Sequence, residues 1–96
     1  MSFSRQFNFL TDSEDPTYFY LLGYPLRLSP TESSVVHKLL ESPSLSPEDL
    51  RQLPTKTISR QCLAVHVHAI NEKASAISGR KLILSVEGSY LLSPRM

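Results

Sequence analysis

Apolar residues along the 96-residue chain change period three times, and each change marks a different kind of element. From Phe7 to Leu10, and again from Thr17 to Leu22, aromatic and aliphatic residues crowd short runs separated by the polar turn Thr11–Pro16, the signature of β-strands. Gly23 turns the chain into a third short strand, Pro25–Leu28, completing a small antiparallel meander over residues 1–28. At Ser29-Pro30-Thr31-Glu32 the period lengthens. Ser29 is suited to cap a helix, Pro30 to its first position, and Glu32 to reach back to the capping residue's amide. Val35, Val36, Leu39 and Leu40 then form one buried stripe, which ends near Glu41-Ser42-Pro43.

A second, short helix starts at the cap Ser46, with Pro47, Glu48 and Asp49 in its first turn and Leu45 and Leu50 placed as a hydrophobic staple. It stops before Pro54, and residues 53–58 form a connecting turn. Leu63, Val67, Ile70, Ala74 and Ile77 recur in steps of four and three, which predicts a third helix from about Ser59 to Ser75 or slightly beyond. Ser78-Gly79 ends it, and residues 81–86 and 89–92 predict a hairpin turning at Glu87-Gly88. The expected fold is therefore α+β, a single domain over residues 1–96: a sheet at 1–28, a three-helix core at 29–77 and a closing hairpin at 80–92. Ser93-Pro94-Arg95-Met96 reads as a loose tail.

Composition narrows the function classes. One cysteine, Cys62, permits neither an intrachain disulfide nor a multi-thiolate zinc site. Cys62 and His66, four apart, lack further ligands for a metal, and Asp12, Glu14 and Asp15 read as a solvated turn rather than a calcium loop. No apolar run is long enough to cross a bilayer, and the first residues lack the apolar core of a secretory signal, so a cytoplasmic protein that does not engage membranes is expected. No triad, phosphate loop or dinucleotide fingerprint is present, which argues against an enzyme, and no cofactor is implied.

The net charge of +1 hides an asymmetry. Residues 1–54 carry four basic against seven acidic side chains, whereas residues 55–96 carry six basic against two acidic ones. A phosphate-facing surface is expected in the second half. With Leu63, Val67 and Ile70 turned inward, the opposite face of the third helix presents Gln61, Ala64, Val65, His68, Asn71 and Glu72. Gln61 and Asn71 suit adenine, Val65 a thymine methyl, and Glu72 the cytosine amino group; His68 suits a base or a phosphate. Lys56, Arg60, Lys73, Arg80 and Lys81 are the candidate phosphate ligands.

Three segments carry a family resemblance. Leu26-Arg27-Leu28-Ser29-Pro30-Thr31-Glu32 resembles the "L-x-L-T/S-x-x-E" entry to the first helix of OmpR/PhoB-type response-regulator effector domains. Leu63-Ala64-Val65-His66-Val67 resembles that family's "V-D-V-H-I" core, and Ser85-Val86-Glu87-Gly88-Ser89-Tyr90 resembles its "T-V-R-G-x-G-Y" wing. The resemblance spans nearly the whole chain and implies a winged helix-turn-helix with an N-terminal sheet. It implies a bacterial transcriptional regulator of the two-component type that binds double-stranded DNA, with the helix at about 59–75 in the major groove. It also adds Ser89 and Tyr90 on the wing to the DNA-facing residues. The family's partners would be a receiver domain, RNA polymerase at the 53–58 loop, or a second copy of the chain.

The chain departs from the pattern where the family meets DNA. His66-Val67-His68-Ala69-Ile70-Asn71-Glu72-Lys73-Ala74 stands in place of "H-I-R-R-L-R-x-K-L", and Glu87 replaces the wing arginine. The alternative reading is a winged-helix module that has lost DNA binding and serves protein–protein contacts. Seven of the eight aromatic residues lie in the N-terminal strands, which suits both readings.

Overall fold

A hydrogen-bonded cap fixes the start of each helix, and the sheets close around the stripe those helices share. The computed structural model describes residues 9–42 and 44–94. Its elements run β1 (Leu10–Asp12), β2 (Tyr18–Leu21), β3 (Tyr24–Arg27), α1 (Pro30–Glu41), β4 (Ser44–Leu45), α2 (Pro47–Leu50), α3 (Arg60–Ser78), β5 (Ile83–Val86) and β6 (Ser89–Leu92). The result is an α+β fold with three helices and two antiparallel sheets, ordered β1-β2-β3 and β4-β6-β5.

In the first sheet, Phe19 pairs with Leu26 and Leu21 with Leu10, and all four turn inward. Tyr18 and Tyr20 point outward by the two-residue alternation of a strand. Arg27 lies over the Tyr18 ring, 5.0 Å from its centroid. The β2–β3 turn is a two-residue connection in which Leu22 (φ 54°) and Gly23 (φ 83°) are both left-handed, a conformation glycine tolerates and leucine enters at a cost. Phe7 and Asn8, expected at the start of the first strand, lie outside the described residues.

The three helix starts are as the sequence implies. Ser29, Ser46 and Ser59 each accept a hydrogen bond from the amide three residues on, and at α1 the Glu32 carboxylate returns a contact to the Ser29 N–H at 2.9 Å. Val35, Val36 and Leu39 of α1 and Leu63, Ile70 and Ala74 of α3 are all but sealed from solvent, joined by Leu50 of α2 and by Leu82, Ile83 and Leu92. Burial of each large side chain contributes about 1.5–3 kcal/mol, so this shared stripe is the principal source of stability.

Beyond β1, which takes in Thr11 and Asp12 of the expected turn, three details differ from the sequence expectation. Ser44 and Leu45 form a two-residue strand on the edge of β6, pairing with Leu91 and Tyr90, which makes the second sheet three-stranded. The first hairpin strand begins at Ile83 rather than Lys81. Arg80 is held in the turn after α3, where its carbonyl accepts from the Ser75 and Ser78 hydroxyls at 3.2 Å each. The 53–58 segment is an ordered hairpin: Ile58 N–H donates to the Arg51 carbonyl, Leu53 N–H to that of Lys56, and Arg51 Nε to that of Ile58.

Glu32 is the one charged residue buried among the described residues; Ser33 and Ser93 are the buried polar ones. Glu32 is 5% exposed, and Lys73 of α3 places its ammonium 2.6 Å from Oε1. Burial pushes the carboxyl's pKa up, but the Lys73 hydrogen bond, the Ser29 amide and the nearby Lys73 and His66 charges outweigh it and hold the group below its ordinary value of 4.5. A carboxyl depressed in the folded state contributes stability that is present above pH 4.5 and lost as pH falls through the folded value. Lys73→Met should therefore destabilise the domain by about 1–3 kcal/mol at pH 7 in urea unfolding, and the deficit should shrink under acid as Glu32 protonates. Equal stability of both forms at pH 7 would contradict the pairing.

Candidate functional site

The exposed side of α3 is shaped by what its buried side must reach. Because Leu63, Val67, Ile70 and Ala74 are spent on the core, residues 61, 65, 68 and 72 form an outward line, and all four are exposed. Val65 is the most conspicuous, an aliphatic side chain 65% exposed in the middle of the helix. Between this line and the β5–β6 hairpin runs a groove of about 430 Å³, lined among others by Ala64, His68, Asn71, Lys81, Val86 and Tyr90. Val86, 48% exposed, faces solvent from the hairpin. The hairpin turns through Glu87 (φ 51°) and Gly88 (φ 81°), so a carboxylate stands at its tip.

The structure divides the residues singled out from sequence into three groups. Lys56, Gln61, Val65, Arg80 and Lys81 are exposed, and the Lys56, Arg80 and Lys81 cationic groups have no ion-pair partner among the described residues. Arg60, His68 and Glu72 are exposed but paired: Arg60 Nε lies 3.5 Å from Glu48 Oε2, and His68 Nε2 lies 3.2 Å from Glu72 Oε2 one turn on. Such exposed pairs are weak, about 0–1 kcal/mol, so they open readily for a better partner.

Asn71 and Lys73 form the third group. Lys73 is drawn to Glu32, as described above. Asn71 accepts from the Ile83 N–H through Oδ1 at 2.8 Å and donates from Nδ2 to the Ile83 carbonyl at 3.0 Å. Its carboxamide is thereby engaged with the main chain of β5, a contact that its placement among the base-edge candidates does not anticipate. Ser89 and Tyr90 are half-buried on β6, Tyr90 packing against the core. His66 is half-buried beside Glu32 rather than on the outward line.

Two participants escaped the sequence reading. Glu48 holds both Arg51, at 3.0 Å, and Arg60. The first pair follows from the i,i+3 spacing, while the second depends on how α2 meets α3. Lys38 donates to the carbonyls of Asp49, at 2.6 Å, and Gln52, anchoring α2 from below, and nothing local in the sequence signals this contact.

No group of three or more metal-ligating side chains occurs among the described residues, and no described helix is long and apolar enough to cross a membrane. Neither a protein-family model nor a curated protein sequence matches the chain.

The outward line of α3 contributes little to the fold, which gives a direct check. Val65→Ser should leave the urea midpoint within the change expected for about 0.5 kcal/mol. A loss of several kcal/mol would mean that Val65 is packed and the face is not free.

Proposed function

We propose that the chain is a winged helix-turn-helix domain of the OmpR/PhoB effector type and that it binds duplex DNA, with α3 in the major groove and the β5–β6 hairpin as the wing. The observation that carries the reading is the unobstructed outward line of α3, flanked on one side by the hairpin and its cationic entrance. A helix with a free polar face fits the width of the major groove, and a hairpin beside it reaches the adjoining backbone. The element order, the serine-capped α1 and the short α2 leading into a long α3 support the same reading. Gln61, Val65 and His68 are the base-edge candidates, and Lys56, Arg60, Arg80 and Lys81 the phosphate ligands. Asn71 and Lys73 leave that set because their side chains are engaged within the fold.

This smaller set has a measurable consequence. Phosphate neutralisation releases counterions at roughly 0.9 per contact, so three or four contacts give a slope of about −3 in a plot of log affinity against log salt. Fluorescence anisotropy with a mixed-sequence duplex between low and moderate salt should return that value. Lys81→Ala should make the slope shallower by about one and weaken all sequences alike. Absence of binding at the lowest salt would overturn the reading.

A second reading, a module for protein contacts, is favoured by one specific observation. Tyr20, Leu22 and Tyr24 are each exposed along the β2–β3 hairpin of the N-terminal sheet, 41%, 43% and 63% accessible. Leu22 keeps its left-handed conformation there although asparagine or glycine would suit the turn better. This surface lies on a different sheet from the hairpin beside α3 and does not compete with the DNA reading.

A further inference from the structure

The chemistry of β5's open edge assigns Asn71 a role that the sequence alone does not suggest. Ser93 N–H donates to the Leu82 carbonyl at 2.7 Å, which fixes the alternation of bonding along the hairpin. Leu84 opposite Leu91 and Val86 opposite Ser89 then point their main-chain groups at β6, while those of Ile83 and Ser85 point away from it. Ile83 is 2% exposed, so its outward N–H and C=O cannot be left to water. Unpaired, both would carry the full desolvation penalty of buried peptide groups.

Asn71 meets both. A carboxamide sets an acceptor oxygen beside an NH2 donor, as a strand edge sets C=O beside N–H, and the two contacts, at 2.8 and 3.0 Å, reproduce those of a neighbouring strand while leaving the second N–H of the NH2 unused. Aspartate at this position would supply only the acceptor, and an aliphatic residue neither. The groove between α3 and β5 is thus closed at one end by a side chain acting as a surrogate strand. The clamp adds a directional contact to the apolar packing that holds Gln61, Val65 and His68 on the helix in relation to Arg80 and Lys81 at the hairpin entrance.

We propose that Asn71 is a positioning residue for the DNA surface: it sets the wing against α3 and contributes to affinity through geometry, not through base recognition. The proposal rests on the DNA reading above. Its test combines three measurements on wild type, Asn71→Ala and Asn71→Asp: affinity for a mixed-sequence duplex, base preference from a randomised duplex library, and hydrogen exchange of the Ile83 amide.

In Asn71→Ala the Ile83 amide should exchange about tenfold faster, the amide shifts of residues 83–90 should move, and affinity should fall about tenfold without change in base preference. Asn71→Asp keeps the acceptor, so it should retain most of the Ile83 protection while losing affinity. Loss of preference at one base position with the hairpin shifts unmoved would make Asn71 a base reader and overturn the proposal. Unaltered Ile83 exchange would overturn it equally. Failure of the wild-type chain to bind any duplex in the library would overturn the DNA reading itself and the positioning role with it, while the exchange data would still decide whether the clamp exists.

Discussion

Glu32 stands where α1, α3 and the first sheet's exit meet, and the fold depends on how its charge is met there. It closes the cap of α1 at Ser29 and takes the Lys73 ammonium from α3 while almost sealed from solvent. A buried carboxylate is tolerable only when its lone pairs are filled, and both the cap and the ion pair are needed for that. The pairing fixes more than energy. Lys73 sits in the C-terminal half of α3, and its reach to the N-terminus of α1 adds a polar contact to the apolar stripe that orients the helix. Leu63, Val67 and Ile70 then face the core, and Gln61, Val65 and His68 necessarily face out.

On the other flank of α3, Asn71 does for β5 what Lys73 does for α1. The two residues are nearly adjacent in sequence but leave the helix in different directions, about 200° apart at 100° per residue. One ties the helix to the first capping turn and the other to the hairpin. α3 is held from both sides by polar contacts with defined geometry, over an apolar stripe that alone would permit sliding. Specificity of arrangement, more than net stability, is what such contacts contribute.

The extent to which this was legible in the sequence follows from the range of each interaction. The α1 start was legible because a capping box is written in four consecutive residues, and the buried stripes of α1 and α3 because helical spacing repeats locally. The Glu87-Gly88 turn was legible for the same reason. β4 was not, since two residues have no period and become a strand only by lying beside Tyr90 and Leu91. Helical spacing alone leaves Asn71 near the boundary of the outward face, and what draws it inward is a strand edge twelve residues away. The partners of Arg60 and Lys73 are invisible along the sequence for a similar reason: their carboxylates come from α2 and α1.

That difference in range alters the electrostatic argument. Summed along the chain, residues 55–96 carry a clear positive excess. In three dimensions, Lys73 is paired with the buried Glu32, Arg60 shares Glu48 with Arg51, Glu72 stands on the same outward line of α3 as Gln61, and Glu87 stands exposed at the hairpin tip. The field around the proposed surface is therefore made by a few separated cations rather than a continuous basic patch. Long-range steering, which depends on summed charge, is correspondingly weak. In the proposed complex with DNA, discrimination would fall to short-range contacts from Gln61, Val65 and His68, whose strength would depend on being held at the correct distance from the groove. Under the DNA reading proposed above, the polar clamps around α3 would then matter more for binding than any single exposed cation.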